Sequence, residues 1–338
     1  MTEVFDFLRF PLIVMVVVYH TFLPDHWEEI APWYSNAMYF MKEVTARISV
    51  PMFLVISGYM LFGNVQRYTH TVYFSKLKRR VRTLLIPYVI WNALSLLELM
   101  VKKLPVFAGL FPNIHKVIVD PTFCLEGFWA LPGLGTPLYY PFWYIRDLMV
   151  LVVVSPVVYW ALKKTRELWL LILFALVFCN VNVGYYLSSM LYFSIGAYWA
   201  IYRKDTLPDI HLLQGIALVW MLMAILDTAT RNPQVHTVSI LCGIGAMLFV
   251  GVTAVCKYRY NVNETLTKSV FFIYAIHATL LVYIYKGFER ISPPHNEIWL
   301  FVFNTAMAVI TLAVSFAVYR VFARYLPGAC KIMCGGRK

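Results

Sequence analysis

The sequence predicts an all-α, polytopic integral membrane bundle of about ten transmembrane helices with both termini cytoplasmic, and three observations carry that prediction. The 338 residues are 61% hydrophobic and 17% aromatic but only 14% charged, with a mean hydropathy of +0.68, a balance that soluble domains do not show. Ten apolar runs, at residues 5–23, 48–62, 84–101, 142–160, 168–180, 185–202, 212–226, 237–255, 269–285 and 298–319, alternate with polar connections. With the amino terminus inside, nineteen of the 29 Lys and Arg fall in inside connections and eight in outside ones, the asymmetry that orients membrane proteins.

Run 5–23 is long enough to span. The following Pro24-Asp25-His26-Trp27 lacks the small residues of a cleavage site, so the run reads as a retained helix rather than a signal peptide. Runs 48–62 and 168–180 are short for a span and are expected to lengthen into flanking residues, tilt, or be shielded by neighbouring helices. The third run follows Lys76, Lys78, Arg79, Arg80 and Arg82, the densest positive charge on the inside. Residues 102–141 then form the longest connection, on the outside, where Pro105, Pro112, Pro121, Pro132 and Pro137 and Gly127, Gly133 and Gly135 are set among Phe, Trp and Tyr. So many breakers exclude one regular helix, and so many aromatics argue against plain disorder, which leaves a lid or re-entrant segment over a cavity. The later runs continue the pattern without an internal repeat, and 1–338 reads as one membrane domain with no appended soluble domain.

The net charge of +12 would suit a nucleic-acid binder, but the cations are spread over loops between apolar runs, where topology accounts for them. Membrane lipids, not nucleic acids, are the expected surroundings. The six cysteines make no disulfide framework: Cys179 and Cys242 lie in apolar runs, Cys256, Cys330 and Cys334 beside basic ends, and Cys124 in the long connection. Cys330 and Cys334 have helical spacing, yet the tail offers too few ligands for a metal, and neither a metal nor a permanently bound cofactor is expected.

Two polar side chains interrupt the first run. Arg9 and His20 are eleven residues apart, and at about 100° per residue eleven steps return to within roughly 20° of the starting direction, so both share one helix face. At about 1.5 Å per residue they stand roughly 16 Å apart along the axis, more than half of a ~30 Å hydrocarbon core. Ionisable groups inside a span mark functional paths. Imidazole titrates near neutral pH and can take a proton from a hydroxyl, which makes His20 a candidate general base; a packing histidine bonded to a neighbour is the other reading.

Glu98, Arg146 and Asp147 add charge at the outer ends of runs three and four. Arg146 and Asp147 point about 100° apart, so each is expected to find its partner across the bundle rather than in the other. Glu98 pairs with Arg146, orients His20, or snorkels to the surface. His277 lies mid-run in the ninth segment as a lining or a packing residue, while His26, His70, His115, His211, His236 and His295 fall in loops or at helix ends and carry no signal.

At these residues the chain resembles a family. Phe5-Asp6-Phe7-Leu8-Arg9 running to Val18-Tyr19-His20 resembles the opening helix of the acyltransferase 3 family of integral-membrane acyltransferases, whose signature is an arginine, ten residues and a histidine. Val50-Pro51-Met52-Phe53-Leu54-Val55-Ile56-Ser57-Gly58-Tyr59 is similar to its second-helix pattern, and Lys78-Arg79-Arg80-Val81-Arg82 before Leu85-Ile86-Pro87-Tyr88 to its basic approach to the third helix. Phe142-Trp143-Tyr144-Ile145-Arg146-Asp147-Leu148 with Ser155-Pro156, and Ile273-Tyr274-Ala275-Ile276-His277, resemble its middle and late motifs. Five ordered matches over almost the whole chain are specific where any one alone would be weak.

The resemblance implies transfer of an acyl group, commonly acetyl from acetyl-CoA, to a hydroxyl of a cell-envelope glycan, a lipid-linked saccharide or a related acceptor, in a bacterial inner membrane. It implies His20 and Arg9 as catalytic residues, with Arg9 between the nucleotide and acyl ends of the acyl-CoA co-substrate. Arginine's planar fork suits phosphate oxygens, so Arg79 and Arg82, with Lys78 and Lys76, are the candidates for the nucleotide end; orientation and anionic lipids also call for a basic run there. Tyr144, Arg146, Asp147, Glu98, Ser57, Tyr59 and His277 are the candidates for binding substrate, with Ser57 beside Gly58 equally readable as a small-residue helix contact. A transporter or flippase of a glycan precursor, using the same cavity without bond chemistry, is the alternative; broken helices paired between two halves would support it.

Overall fold

The computed structural model describes residues 1–21, 31–63, 65, 67–107, 109, 111, 114, 117–181, 186–204, 206–291 and 296–336. The end of the first run, the Pro24–Trp27 stretch read for a cleavage site, the start of the sixth run at Tyr185, and Pro112, Lys116, His115, His295, Arg337 and Lys338 lie outside the described residues. The fold is all-helical, with no strand among the described residues.

In chain order, α1 is Thr2–Tyr19. Helix α2, Pro32–Tyr39, continues through a π-helical stretch, Phe40–Thr45, and a 3-10 turn, Ala46–Ile48, into α3, Ser49–Phe62. Helix α4, His70–Arg80, continues through π-helical Val81–Leu85 into α5, Ile86–Lys102. There follow α6 (Pro121–Gly127), α7 (Trp143–Val153), α8 (Ser155–Thr165), α9 (Glu167–Phe178), α10 (Tyr186–Tyr202), α11 (Ile210–Thr230) and α12 (Pro233–Val252). The last three are α13 (Glu264–Ile291), α14 (Glu297–Tyr325) and α15 (Pro327–Met333).

Among the described residues, six helices are long and apolar enough to cross a membrane: Pro32–Phe62, His70–Lys102, Ile210–Thr230, Pro233–Lys257, Glu264–Ile291 and Glu297–Tyr325. A seventh span results if α7 and α8, broken at Val154, count as one. The short second run thus lengthens into its flank, through the π-helical stretch, whereas the short fifth run remains a helix of 12 residues. Helix α1 has 18 residues but carries Glu3, Asp6 and Arg9.

Local chemistry sets several boundaries. Asp120 and Asn232 cap α6 and α12 by accepting from Phe123 N–H and from Gln234 and Val235 N–H, each with a proline at the first helical position, where no N–H is needed. Pro11 inside α1 does not end that helix.

The chain divides into two compact units, Met1–Tyr68 with Ser155–Arg320, and Thr69–Val154 with Val321–Lys338. In the first, Ile13, Val16 and Val17 of α1 pack on Val270 and Ile273 of α13 and Ala308 of α14. Tyr34 and Met38 pack on Leu281, Leu300, Phe303 and Met307. Helices α3 and α10 cross backbone against backbone: a Cβ on Gly58 would lie 2.1 Å from Phe193 O, and one on Gly196 would lie 1.9 Å from Val55 O. Gly58 is therefore a helix contact. Close approach through glycine gives van der Waals packing where lipid supplies no hydrophobic drive between helices.

In the second unit, polar side chains tie the 121–142 segment to α5 and α7. Asn92, fully buried, accepts from Tyr139 N–H at 3.1 Å and donates to Tyr88 O, while Tyr88 OH donates to Phe128 O at 2.7 Å. Helix α15 lies on α5, with Trp91 Nε1 donating to Met333 O. Gly335, at φ 69°, sits where a Cβ would meet Thr83 O at 2.3 Å.

Candidate active site

Helix α1 runs unbroken from Arg9 to Tyr19, so the Arg9 to His20 separation read from the sequence holds, and His20 is the residue that caps the helix. Its ring faces two others. Tyr19 stands edge-on at 5.1 Å between ring centres, and His277 of α13 lies at 5.2 Å with a 42° tilt. The π-helical stretch after α2 and the 3-10 turn that follows bring two cations to the same end of α1: Lys42 Nζ donates to Thr21 O, and Arg47 donates to Tyr19 OH, lies 5.2 Å over the Tyr19 ring, and pairs with Glu43 at 3.3 Å. A π-helical turn adds a residue to a helical turn and often marks a functional position. Sequence reading treated Lys42 and Arg47 as loop cations of the outer side; the structure places them inside a helix, at the His20 end of α1.

His277 is fully buried, and its Nδ1 lies 2.7 Å from Tyr274 O. A carbonyl only accepts, so Nδ1 carries the proton and Nε2 the bare lone pair in the neutral ring. Nε2 is buried and has no hydrogen-bond partner among the described residues.

At the other end of α1, Arg9 pairs with Asp6 at 2.8 Å, both about one-third exposed. Tyr59 sits there too, edge-on to Phe5 at 5.1 Å with its hydroxyl 3.4 Å from Lys204 O. Tyr59 thus lies at the Arg9 end of α1 rather than at the His20 end, and Ser57 on the same helix is half-buried.

In the second unit, Lys78, Arg79 and Arg82 are exposed and Lys76 half-buried, with Arg79 on α4 and Arg82 on the π-helical turn after it. Tyr144 is half-buried on α7. The expectation for Arg146 and Asp147 is corrected: they are each other's partner, with Arg146 Nε and Nη2 donating to Asp147 Oδ1 at 3.2 and 3.1 Å. The arginine is long enough to fold back over the 100° between their Cβ directions. Its remaining nitrogen, Nη1, donates to Trp129 O at 3.0 Å and Gly135 O at 2.7 Å, and the guanidinium faces the Trp129 ring at 5.8 Å. This pair pins the 121–142 segment. Glu98 pairs with Lys102 one turn on, at 2.6 Å.

Arg146→Ala is expected to cost about 3–5 kcal/mol, because it strands Asp147, 0% exposed, without its cation. Limited proteolysis should then cut within 121–142, and unchanged protection of that segment would contradict the pinning role.

A cluster the sequence reading passed over lies where α11 turns into α12. Asp227, fully buried, accepts from Tyr39 OH at 3.3 Å and meets His236 Nδ1 at 2.9 Å. Arg231 stacks 4.8 Å over the Tyr39 ring and donates to Ser35 Oγ and Asn36 Oδ1. Hydropathy stopped the seventh run one residue short of this carboxylate and left His236 in a loop. A buried carboxylate closing an apolar run was the available signal.

Residues 3–320 match the family described as an acyltransferase domain. The chain is also similar to the succinoglycan biosynthesis protein ExoH of Rhizobium meliloti (strain 1021), with 23% identity over 98% of this chain and 91% of that protein. No solved structure matches it. With six long apolar helices and a family match over nearly its whole length, the chain belongs to the acyltransferase 3 family of multi-pass membrane proteins.

Proposed function

We propose that the protein is a bacterial inner-membrane O-acyltransferase that moves an acyl group, acetyl in the commonest case, from cytoplasmic acyl-CoA to a hydroxyl of a cell-envelope glycan or lipid-linked saccharide. The observation that carries the reading is the imidazole pair closing α1: a partly exposed His20 backed by a buried His277. The relative's part in succinoglycan biosynthesis supports a saccharide acceptor. Counting α1, α9 and α10 as spans beside the six long helices and the broken α7–α8 pair gives ten, and the lysine and arginine bias supports a reading with both termini inside.

In this reading the acceptor's O–H proton passes to the bare ring nitrogen of His20 as the oxygen attacks the thioester carbonyl carbon. The carbon–sulfur bond breaks, and the imidazolium returns the proton to the coenzyme A sulfur. Lys42 and Arg47 put positive charge beside His20, where negative charge develops on the carbonyl oxygen. Arg79 and Arg82, with Lys78 and Lys76, are the proposed contacts to the phosphates, and Arg9 is a further proposed contact to the donor. Tyr144 and Ser57 remain the candidates for polar contacts to substrate. A transporter would be expected to pair broken helices between two halves; one broken span occurs among the described residues, which does not favour that reading.

Purified protein incubated with acyl-labelled acetyl-CoA and candidate glycans should convert label to an alkali-labile ester on the acceptor. Translocation of a glycan precursor without thioester consumption would overturn the reading. Replacing Arg79 and Arg82 together by glutamine should raise KM for acyl-CoA roughly tenfold or more at low salt while kcat changes little, since lost phosphate contacts are screened charge interactions. An unchanged KM would remove these residues from the donor site.

A further inference from the structure

We propose that His277 is a positioning residue for His20: its Nε2 receives a ring N–H of His20 and so holds the other His20 nitrogen bare toward the acceptor hydroxyl. The inference rests on the acyl-transfer reading, in which His20 is the base. Its grounds are geometric. The bond from Nδ1 to Tyr274 O fixes His277 in the tautomer whose Nε2 can only accept while the ring is neutral. That nitrogen is buried, and its place as an acceptor is unfilled among the described residues. The 5.2 Å between ring centres lets one nitrogen of each ring approach to hydrogen-bond distance, about 3 Å. Contacts of this kind tighten as substrate binds.

The order of burial fits the order of roles. His20 is partly exposed and can meet a substrate, whereas His277 is 0% exposed and reaches the reaction only through His20. When His20 takes the acceptor's proton it becomes a cation with two N–H groups. One points back to the substrate and later returns its proton to the leaving sulfur. The other donates to His277 Nε2, so the imidazolium is stabilised by a neutral imidazole in the place where other acyl-transfer sites use a carboxylate.

The test compares His277→Leu with His277→Gln, whose amide oxygen restores an acceptor near the Nε2 position. Leucine should lower kcat about 10- to 100-fold with KM for acyl-CoA unchanged, and glutamine should recover most of that loss. Nitrogen-15 NMR of histidine-labelled protein gives a readout independent of turnover: His277 should report a protonated Nδ1, and His277→Leu should turn His20 from one tautomer into a mixture. Leucine with wild-type kcat, or a His20 tautomer indifferent to residue 277, would overturn the proposal. A wild-type protein that transfers no acyl group to any acceptor would instead overturn the acyl-transfer reading, and the NMR comparison would still decide whether His277 fixes His20.

Discussion

His20→Ala is expected to lower the rate of acyl transfer at saturating substrates by about 10³-fold while leaving folded, membrane-inserted protein. General bases contribute roughly 10²–10⁴-fold, and an unassisted hydroxyl near neutral pH is a poor nucleophile toward a thioester. Folding should survive because the end of α1 is held by contacts that do not need the imidazole: Arg47 on Tyr19, Lys42 on Thr21 O and the Thr21 hydroxyl on Val18 O. The loss should fall on kcat, with KM for acyl-CoA nearly unchanged, because the proposed donor contacts are made by other side chains. Steady-state kinetics beside size-exclusion profiles in detergent separate the two effects. A variant within threefold of wild-type kcat would remove His20 from the chemistry.

What could be read in advance followed from helix periodicity. The Arg9 and His20 register survives into the structure because it needs only 100° per residue and an unbroken helix. The lengthening of the second run could be anticipated, but not its route, since a π-helical stretch is a tertiary accommodation with no simple residue pattern. Partner choice was the part that sequence could not supply. Arg146 and Asp147 looked separated when only Cβ directions were counted, yet a flexible four-atom stem brings the guanidinium back onto the next residue. Asn92 and Asp227 were hidden by averaging, since one polar residue scarcely lowers the hydropathy of its run. Each proves fully buried and bonded to a segment distant in the chain. Lys42 and Arg47 were counted correctly as charges on the His20 side, but charge counting could not show that they meet Thr21 and Tyr19.

Gly196→Leu is expected to be the most damaging single substitution away from the chemistry, with Gly58→Val close behind. The Cβ of any residue at 196 would lie 1.9 Å from Val55 O and 2.8 Å from Tyr59 N, and at 58 it would lie 2.1 Å from Phe193 O. These obstacles are backbone atoms, so no rotamer change relieves them, and α3 and α10 must separate before ordinary contact is restored. Overpacking costs about 1–3 kcal/mol where side chains can yield and more where they cannot. We expect about 3 kcal/mol for Gly196→Ala and enough for Gly196→Leu that little folded protein is recovered. Gly58→Ala and Gly196→Ala together should cost less than their sum, because one separation of the helices relieves both clashes. Gly215→Ala, where nothing lies within 4 Å, is the control and should be neutral or slightly stabilising. Thermal unfolding in micelles gives the comparison, and Gly196→Ala matching Gly215→Ala would show that the crossing is looser than described. Helix α3 is continuous with the π-helical stretch that carries Lys42 and with the 3-10 turn that carries Arg47. Forcing α3 away from α10 should therefore also shift the cations beside His20, so stability and acyl transfer fall together, whereas His20→Ala loses transfer alone.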